Sequence, residues 1–169
     1  MARISKIAFV PIALFALASF IAPAQIVSPD AQSRSQNKPD SVAYLFPEQV
    51  TVPAGKPSSV AMHFRVAEGL HINSHTPSAD YLIPTTFSIP ATAQVRLDAA
   101  DYPAGTVMTL PIDPQTQLSA YTGDFVIQAR IVAAPGNHLV QGRLHYQACD
   151  QEKCMPPKTI TVPIDVIGK

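Results

Sequence analysis

From Asp40 onward the sequence repeats one pattern, in which apolar and polar residues alternate over short runs and Pro, Gly, Asn or Asp separates the runs. In Ser59-Val60-Ala61-Met62-His63-Phe64-Arg65-Val66, the residues Val60, Met62, Phe64 and Val66 share one face of a period-2 strand. Phe125, Ile127, Ala129 and Ile131 do the same further on, and both faces are assigned to a core. The same criteria predict strands at 42–46, 49–52, 59–66, 71–73, 86–89, 94–97, 125–132, 142–149 and 159–166. Turns are expected at Pro53-Ala54-Gly55, Glu68-Gly69 and Pro135-Gly136-Asn137. Of the 17 prolines, 15 follow position 24, and no stretch offers a long helical stripe free of them. About 130 residues of this kind suffice for one domain with one core, and many short strands at this spacing predict an all-β antiparallel sandwich. The segment Tyr102–Leu118 fits least. It mixes Pro103, Gly105, Pro111 and Pro114 with Val107, Met108, Leu110 and Ile112, and reads as a long irregular segment that must bury its apolar side chains somewhere.

The N-terminal 24 residues differ in kind. Arg3 and Lys6 precede an apolar run from Ile7 to Ile21, and Ala22-Pro23-Ala24 supplies an A-x-A cleavage site. The run is shorter than the roughly 20 residues of a membrane span, so residues 1–24 read as a secretory signal peptide with no stable membrane insertion after cleavage. Residues 25–39, rich in Ser, Gln, Asn, Asp and Pro, read as a disordered leader, and residues 40–169 as the folded domain. The whole chain carries 12 basic and 12 acidic side chains, and losing Arg3 and Lys6 leaves 10 against 12, a net charge of −2. That balance provides no basic field for nucleic acid or anionic lipid.

The chemistry concentrates near the C-terminus. Cys149 and Cys154, the only two cysteines, bound the polar residues Asp150, Gln151, Glu152 and Lys153. Leu144, Tyr146 and Ala148 alternate with His145, Gln147 and Cys149 before them, and Thr159-Ile160-Thr161-Val162 follows them. A short loop therefore joins two antiparallel strands with a sulfur at each end, within bonding reach of one another. An exported chain meets an oxidising compartment. By the chain-entropy relation, closing so short a loop contributes roughly 2 kcal/mol or less, little for a structural staple. The residues alone leave a staple and a redox-active pair both open. A metal site built from Cys149, Cys154 and His145 or His71 is a third reading, although the four-residue gap departs from the C-x₂-C knuckle. His71 and His75 are spaced for one helix face, but Asn73-Ser74 and Pro77 argue against a helix there. Ser74, Ser78 and Asp80 near these histidines lack a nucleophile-elbow motif, and no Gly-rich phosphate loop is present.

Tyr146-Gln147-Ala148-Cys149, with Cys154 and Pro156-Pro157 behind it, resembles the active-site hairpin of the N-terminal periplasmic domain of the thiol:disulfide interchange protein DsbD. Gly69-Leu70-His71-Ile72-Asn73-Ser74, Leu82-Ile83-Pro84-Thr85 and Tyr121-Thr122-Gly123 are similar to segments of such domains, and the resemblance spans roughly residues 40–166. It implies an immunoglobulin-like sandwich, a cap loop near Tyr102–Tyr121 that shields the sulfurs, and periplasmic thiol-disulfide exchange without a separate cofactor. It also implies that Cys154 forms the mixed disulfide with a partner and that Cys149 resolves it. Tyr146 and Gln147 are expected to support the loop from the strand. Pro156 and Pro157 remove two amide donors and stiffen the exit. Asp150 and Glu152 disfavour a nearby thiolate, whereas Lys153 and His145 favour one.

This chain has four residues between its cysteines where the best-known family member has five. It also ends at Lys169, directly after the sandwich, so if it works by the DsbD route its electrons are expected from a separate membrane electron-transfer protein or a thioredoxin-like protein. The rival expectation is a non-catalytic secreted binding module, with the hairpin disulfide as a staple and Tyr102–Leu118 as its contact surface.

Overall fold

In a computed structural model of the chain, the structure describes residues 40–45, 49–90, 94–111 and 113–169. The signal peptide and leader expected over residues 1–39 lie outside the described residues. Every regular element among the described residues is a strand: β1 (Val42–Tyr44), β2 (Gln49–Val52), β3 (Ser58–Val66), β4 (His71–Asn73), β5 (Thr86–Ser88), β6 (Val95–Asp101), β7 (Thr106–Leu110), β8 (Asp113–Tyr121), β9 (Asp124–Ala133), β10 (Gly136–Tyr146), β11 (Ala148–Cys149) and β12 (Lys158–Gly168). Three four-stranded sheets result, ordered β1-β3-β9-β6, β2-β12-β10-β5 and β11-β4-β8-β7. All pairings are antiparallel except β2 with β12, which run parallel. No helix among the described residues is long and apolar enough to cross a membrane.

The first two sheets close over one core, so the immunoglobulin-like antiparallel sandwich expected from the sequence is present. Val60, Met62, Phe64 and Val66 from β3 and Phe125, Ile127, Ala129 and Ile131 from β9 face inward. They meet Val140, Leu144 and Tyr146 from β10 and Val162, Ile164 and Val166 from β12. Burying a side chain such as Phe64 or Ile127 contributes about 1.5–3 kcal/mol each. Gly69 and Gly123, at φ of 76° and 57°, sit in the turns after β3 and after β8. A side chain there is strained in the left-handed region, and these two turns deliver β4 and receive β8, the central strands of the third sheet.

Three expectations are corrected. The segment read as irregular, Tyr102–Leu118, contains the β7–β8 hairpin instead, and β8 pairs on its other side with β4. Its prolines avoid the ladder. Pro103 precedes β7, Pro111 lies in the turn, and Pro114 falls where the register jumps from Thr109↔Gln117 to Leu110↔Asp113. A bulge is where a strand tolerates proline. The single strand expected over 142–149 divides at Gln147, because β10 belongs to the second sheet and β11 to the third. This breaks the alternation, so Ala148 and Cys149 are both buried, at 1% and 2% exposure. Gly136-Asn137, expected in a turn, instead opens β10, paired with Gly168 and Ile167.

The root of the β7–β8 hairpin is packed tightly. A Cβ on Gly105 would collide with Ser119 Oγ and come within 2.8 Å of Ser74 Cβ. Those two serines are themselves hydrogen-bonded, Oγ to Oγ at 2.8 Å. The Tyr121 hydroxyl donates to Pro103 O at 2.9 Å and accepts from His75 N at 3.1 Å, tying β8 to the loops before β7 and after β4.

Candidate redox site at the cysteine turn

β10 and β12 run antiparallel from Gly136↔Gly168 to Tyr146↔Lys158. Between their ends the chain leaves the sandwich, makes a tight turn against the third sheet, and returns. The turn is held by its own backbone, because Asp150 N donates to Lys153 O at 3.0 Å and Met155 N to Ala148 O at 2.8 Å. The carboxylate of Asp150 adds a local lock, accepting from Glu152 N at 2.9 Å and Lys153 N at 2.8 Å. Such Asx bonding is how a short polar loop satisfies amides that no strand reaches. These bonds hold the Asp150 carboxyl below the usual carboxylate range. Gln147 Nε2 donates to Met155 O at 3.1 Å, closing the turn's base.

Cys149 and Cys154 face each other across this turn as antiparallel partners and form a disulfide with an S–S distance of 2.03 Å. Their surroundings differ sharply. Cys149 is 2% exposed, whereas Cys154 is exposed to solvent. On its other side Cys149 is the cross-strand partner of His71 in the β4–β11 ladder. Directly opposed residues in an antiparallel pair project to one face with Cβ atoms about 5 Å apart. His71, Cys149 and Cys154 therefore form a row across the sheet, with Cys149 in the middle.

A cavity of about 170 Å³ is lined by both cysteines. His71 and Asn73 line its floor, Tyr81 and Leu82 one wall, and Leu110, Asp113, Thr116 and Leu118 of the β7–β8 hairpin another. The hairpin that replaced the expected irregular segment thus reaches the disulfide with its turn and with the start of β8. Tyr81 is 77% exposed at the rim, a large aromatic that the core leaves outside. Asp113 brings a carboxyl to the cavity, held below its usual range by the Thr116 hydroxyl and then by the amides of Gln115 and Thr116. An ionised carboxylate there disfavours a thiolate nearby. His71 is only 3% exposed, and burial pushes its imidazole below the ordinary value while the charge of Asp150 opposes that shift.

The residues singled out from the sequence fall at different distances from this chemistry. Tyr146 is fully buried in the core beneath the turn, and Gln147 makes the bond to Met155 just described. Pro156 and Pro157 are both exposed on the exit toward β12. His145, expected on the face of Cys149, instead contacts Thr159 Oγ1 through Nδ1 at 3.0 Å, because the change of sheet at Gln147 turns the two residues apart. His75 is also away from the sulfurs and stacks on Tyr102, with ring centroids 3.7 Å apart. Among the described residues, no group of three or more His, Cys, Asp or Glu is placed to hold a metal ion. Sequence reasoning missed Tyr81 and Asp113, and met Leu82 and His71 only as members of segments that carry the resemblance, with His71 also weighed as a metal ligand. The available signals were the Gly69–Ser74 and Leu82–Thr85 segments, which mark these stretches as special without saying which side chain matters.

The sequence matches the family model described as "Thiol:disulfide interchange protein DsbD, N-terminal" over residues 41–165. Among solved structures it is similar to the DsbD N-terminal domain of Neisseria meningitidis in the reduced form. That similarity is 17% in sequence identity, covers 69% of this chain and 82% of that chain, and has a TM-score of 0.45. No curated protein matches the sequence.

Proposed function

We propose that this chain, which belongs to the DsbD N-terminal family, is a periplasmic dithiol/disulfide carrier working through Cys149 and Cys154. In the reduced domain the Cys154 thiolate attacks one sulfur of a partner's disulfide, forming a mixed disulfide and releasing the partner's other sulfur as a thiolate. Cys149 then attacks Cys154 Sγ, the partner leaves with its second thiol, and the domain keeps the disulfide. Two electrons pass to the partner in each cycle. A thioredoxin-like or membrane electron-transfer protein restores the dithiol by the reverse sequence.

The observation that carries this reading is the unequal exposure of the two cysteines. Cys154 is exposed where a partner can reach it, whereas Cys149 is 2% exposed and lies behind it. The cavity walls supplied by Tyr81, Leu82 and the β7–β8 hairpin support the reading of this region as a cap. Tyr146, Gln147, Pro156 and Pro157 serve as the frame of the turn.

The test is trapping with single-cysteine variants on non-reducing gels, using a thioredoxin-like protein as partner, together with the equilibrium potential of the pair. Cys149→Ala, which keeps Cys154, is expected to accumulate a mixed disulfide, and Cys154→Ala is not. Trapping only by Cys154→Ala reverses the two roles. No trapping by either, with a potential below about −300 mV, is the behaviour of a structural disulfide and leaves the binding module.

A further inference from the structure

Carrier function requires one step with no agent yet assigned: the removal of a proton from Cys149 before it resolves the mixed disulfide. A thiol shielded from water ionises reluctantly, and only the thiolate attacks. Asp150, next in the chain, and Asp113, in the cavity, both make that ionisation harder.

We propose that His71 is the base for the resolving cysteine, taking the Cys149 proton as its sulfur attacks Cys154 Sγ. The row His71, Cys149, Cys154 carries the inference. In that row the imidazole is the cross-strand neighbour of Cys149, not of Cys154, and it borders the same cavity as both sulfurs. The inference rests on the carrier reading above.

In the mixed disulfide the partner's sulfur is bonded to Cys154 Sγ and Cys149 is a thiol. Its proton passes to the imidazole, a Cys149–Cys154 bond forms, and the bond from Cys154 to the partner breaks. The partner leaves as a thiolate that is reprotonated from the imidazolium or from solvent, so protons and electrons balance. The electrostatics suit this cycle. Burial keeps His71 neutral and ready to accept, and the Asp150 carboxylate favours the imidazolium once it forms. The other charged groups facing His71 are Asp113 across the cavity and, in the cleft on its opposite side, Arg65 and Glu68 from the end of β3 and its following turn. Gln151, from the cysteine turn, and Met108, from β7, complete that cleft without adding charge.

Reduced chain mixed with Ellman's reagent, a small aromatic disulfide, separates the steps. The first nitrothiobenzoate is released when Cys154 attacks, and the second when Cys149 resolves. His71→Asn is expected to leave the first phase within about twofold and slow the second by roughly 10- to 100-fold at pH 7. That reaches only the foot of the usual range of about 10²–10⁴ for a positioned base, because a thiol, unlike an alcohol, retains some reactivity through its own ionisation when the base is lost. In the wild type the second phase should rise with pH and level off above the His71 ionisation, while the variant should keep rising toward the ionisation of the thiol itself. Equal second phases and equal profiles overturn the role of His71 and leave the carrier intact. A wild type that gives no second release contradicts the carrier reading, and the inference falls with it. Asp150→Asn keeps an acceptor oxygen for the turn and is a second probe should His71→Asn not fold. Removing a carboxylate beside a thiol by itself speeds ionisation, whereas weakening an imidazolium partner slows it. A slower second phase in Asp150→Asn supports the base, and an equal or faster one opposes it.

Discussion

Reducing the disulfide should leave the domain folded, and the size of the loss can be worked from the chain. Cys149 and Cys154 are 5 positions apart. In the chain-entropy relation a closed loop this short removes about 7 cal/mol/K from the unfolded ensemble, or about 2 kcal/mol at 25 °C. The turn retains its amide bonds to Asp150 and the Met155–Ala148 bond, neither of which involves sulfur. The sandwich core is built from β3, β9, β10 and β12 and does not depend on the pair. For a domain of about 130 residues the unfolding entropy is roughly 270 cal/mol/K, so 2 kcal/mol lowers the melting temperature by about 7–8 °C. Circular dichroism melts of the oxidised chain, the chain reduced with an excess of a phosphine, and the Cys149→Ala/Cys154→Ala double variant measure it. The reduced chain and the double variant should melt cooperatively, no more than about 8 °C below the oxidised chain. A fall beyond about 20 °C, or loss of the cooperative transition, would refute the reasoning and return the disulfide to the role of a staple.

Ile127→Ala opens a void in the sandwich core at a fully buried position of β9 and should cost about 2–5 kcal/mol in urea unfolding with an unchanged slope; a loss under about 1 kcal/mol would contradict the core assignment. Gly105→Ala forces Ser119 and Ser74 apart at the root of the β7–β8 hairpin, and should cost about 1–3 kcal/mol while speeding reduction of the disulfide by dithiothreitol. An unchanged reduction rate would separate the hairpin's seating from access to the sulfurs. The Asp150 carboxyl has its folded pKa depressed by the turn amides, so its contribution is present above the unfolded value and is lost as pH falls through the folded one. The amide resonances of Glu152 and Lys153 should therefore titrate with a midpoint below 3.8, and a midpoint at or above 3.8 would deny the carboxylate its part in the turn.

The sandwich was legible because β3 and β9 each bury one whole face, so Val60, Met62, Phe64 and Val66 stand out against their polar neighbours. The two sulfurs were legible for a simpler reason: a pair of cysteines across a polar loop has few meanings. The β7–β8 hairpin was not, because β7 is a largely exposed edge strand and Pro111 and Pro114 sit at the hairpin's turn and bulge, where strand rules do not apply. The exchange of sheets at Gln147 was hidden too. Periodicity registers burial on one face, and Ala148 and Cys149 are buried on both. For the same reason His145 looked nearer the sulfurs than His71, which lies 78 positions before Cys149 and meets it only through the β4–β11 ladder.

The placement of one sulfur behind the other also bears on oxidative damage. Peroxide reaching the reduced domain meets Cys154 first and converts it to a sulfenic acid, which further oxidant turns irreversibly into a sulfinic acid. Cys149 is already in position as its cross-strand partner, so the sulfenic acid condenses with that thiol, expels water and closes the ordinary disulfide. The product is the oxidised member of the proposed exchange cycle, and on that reading an encounter that destroys a solitary thiol costs this domain one reduction.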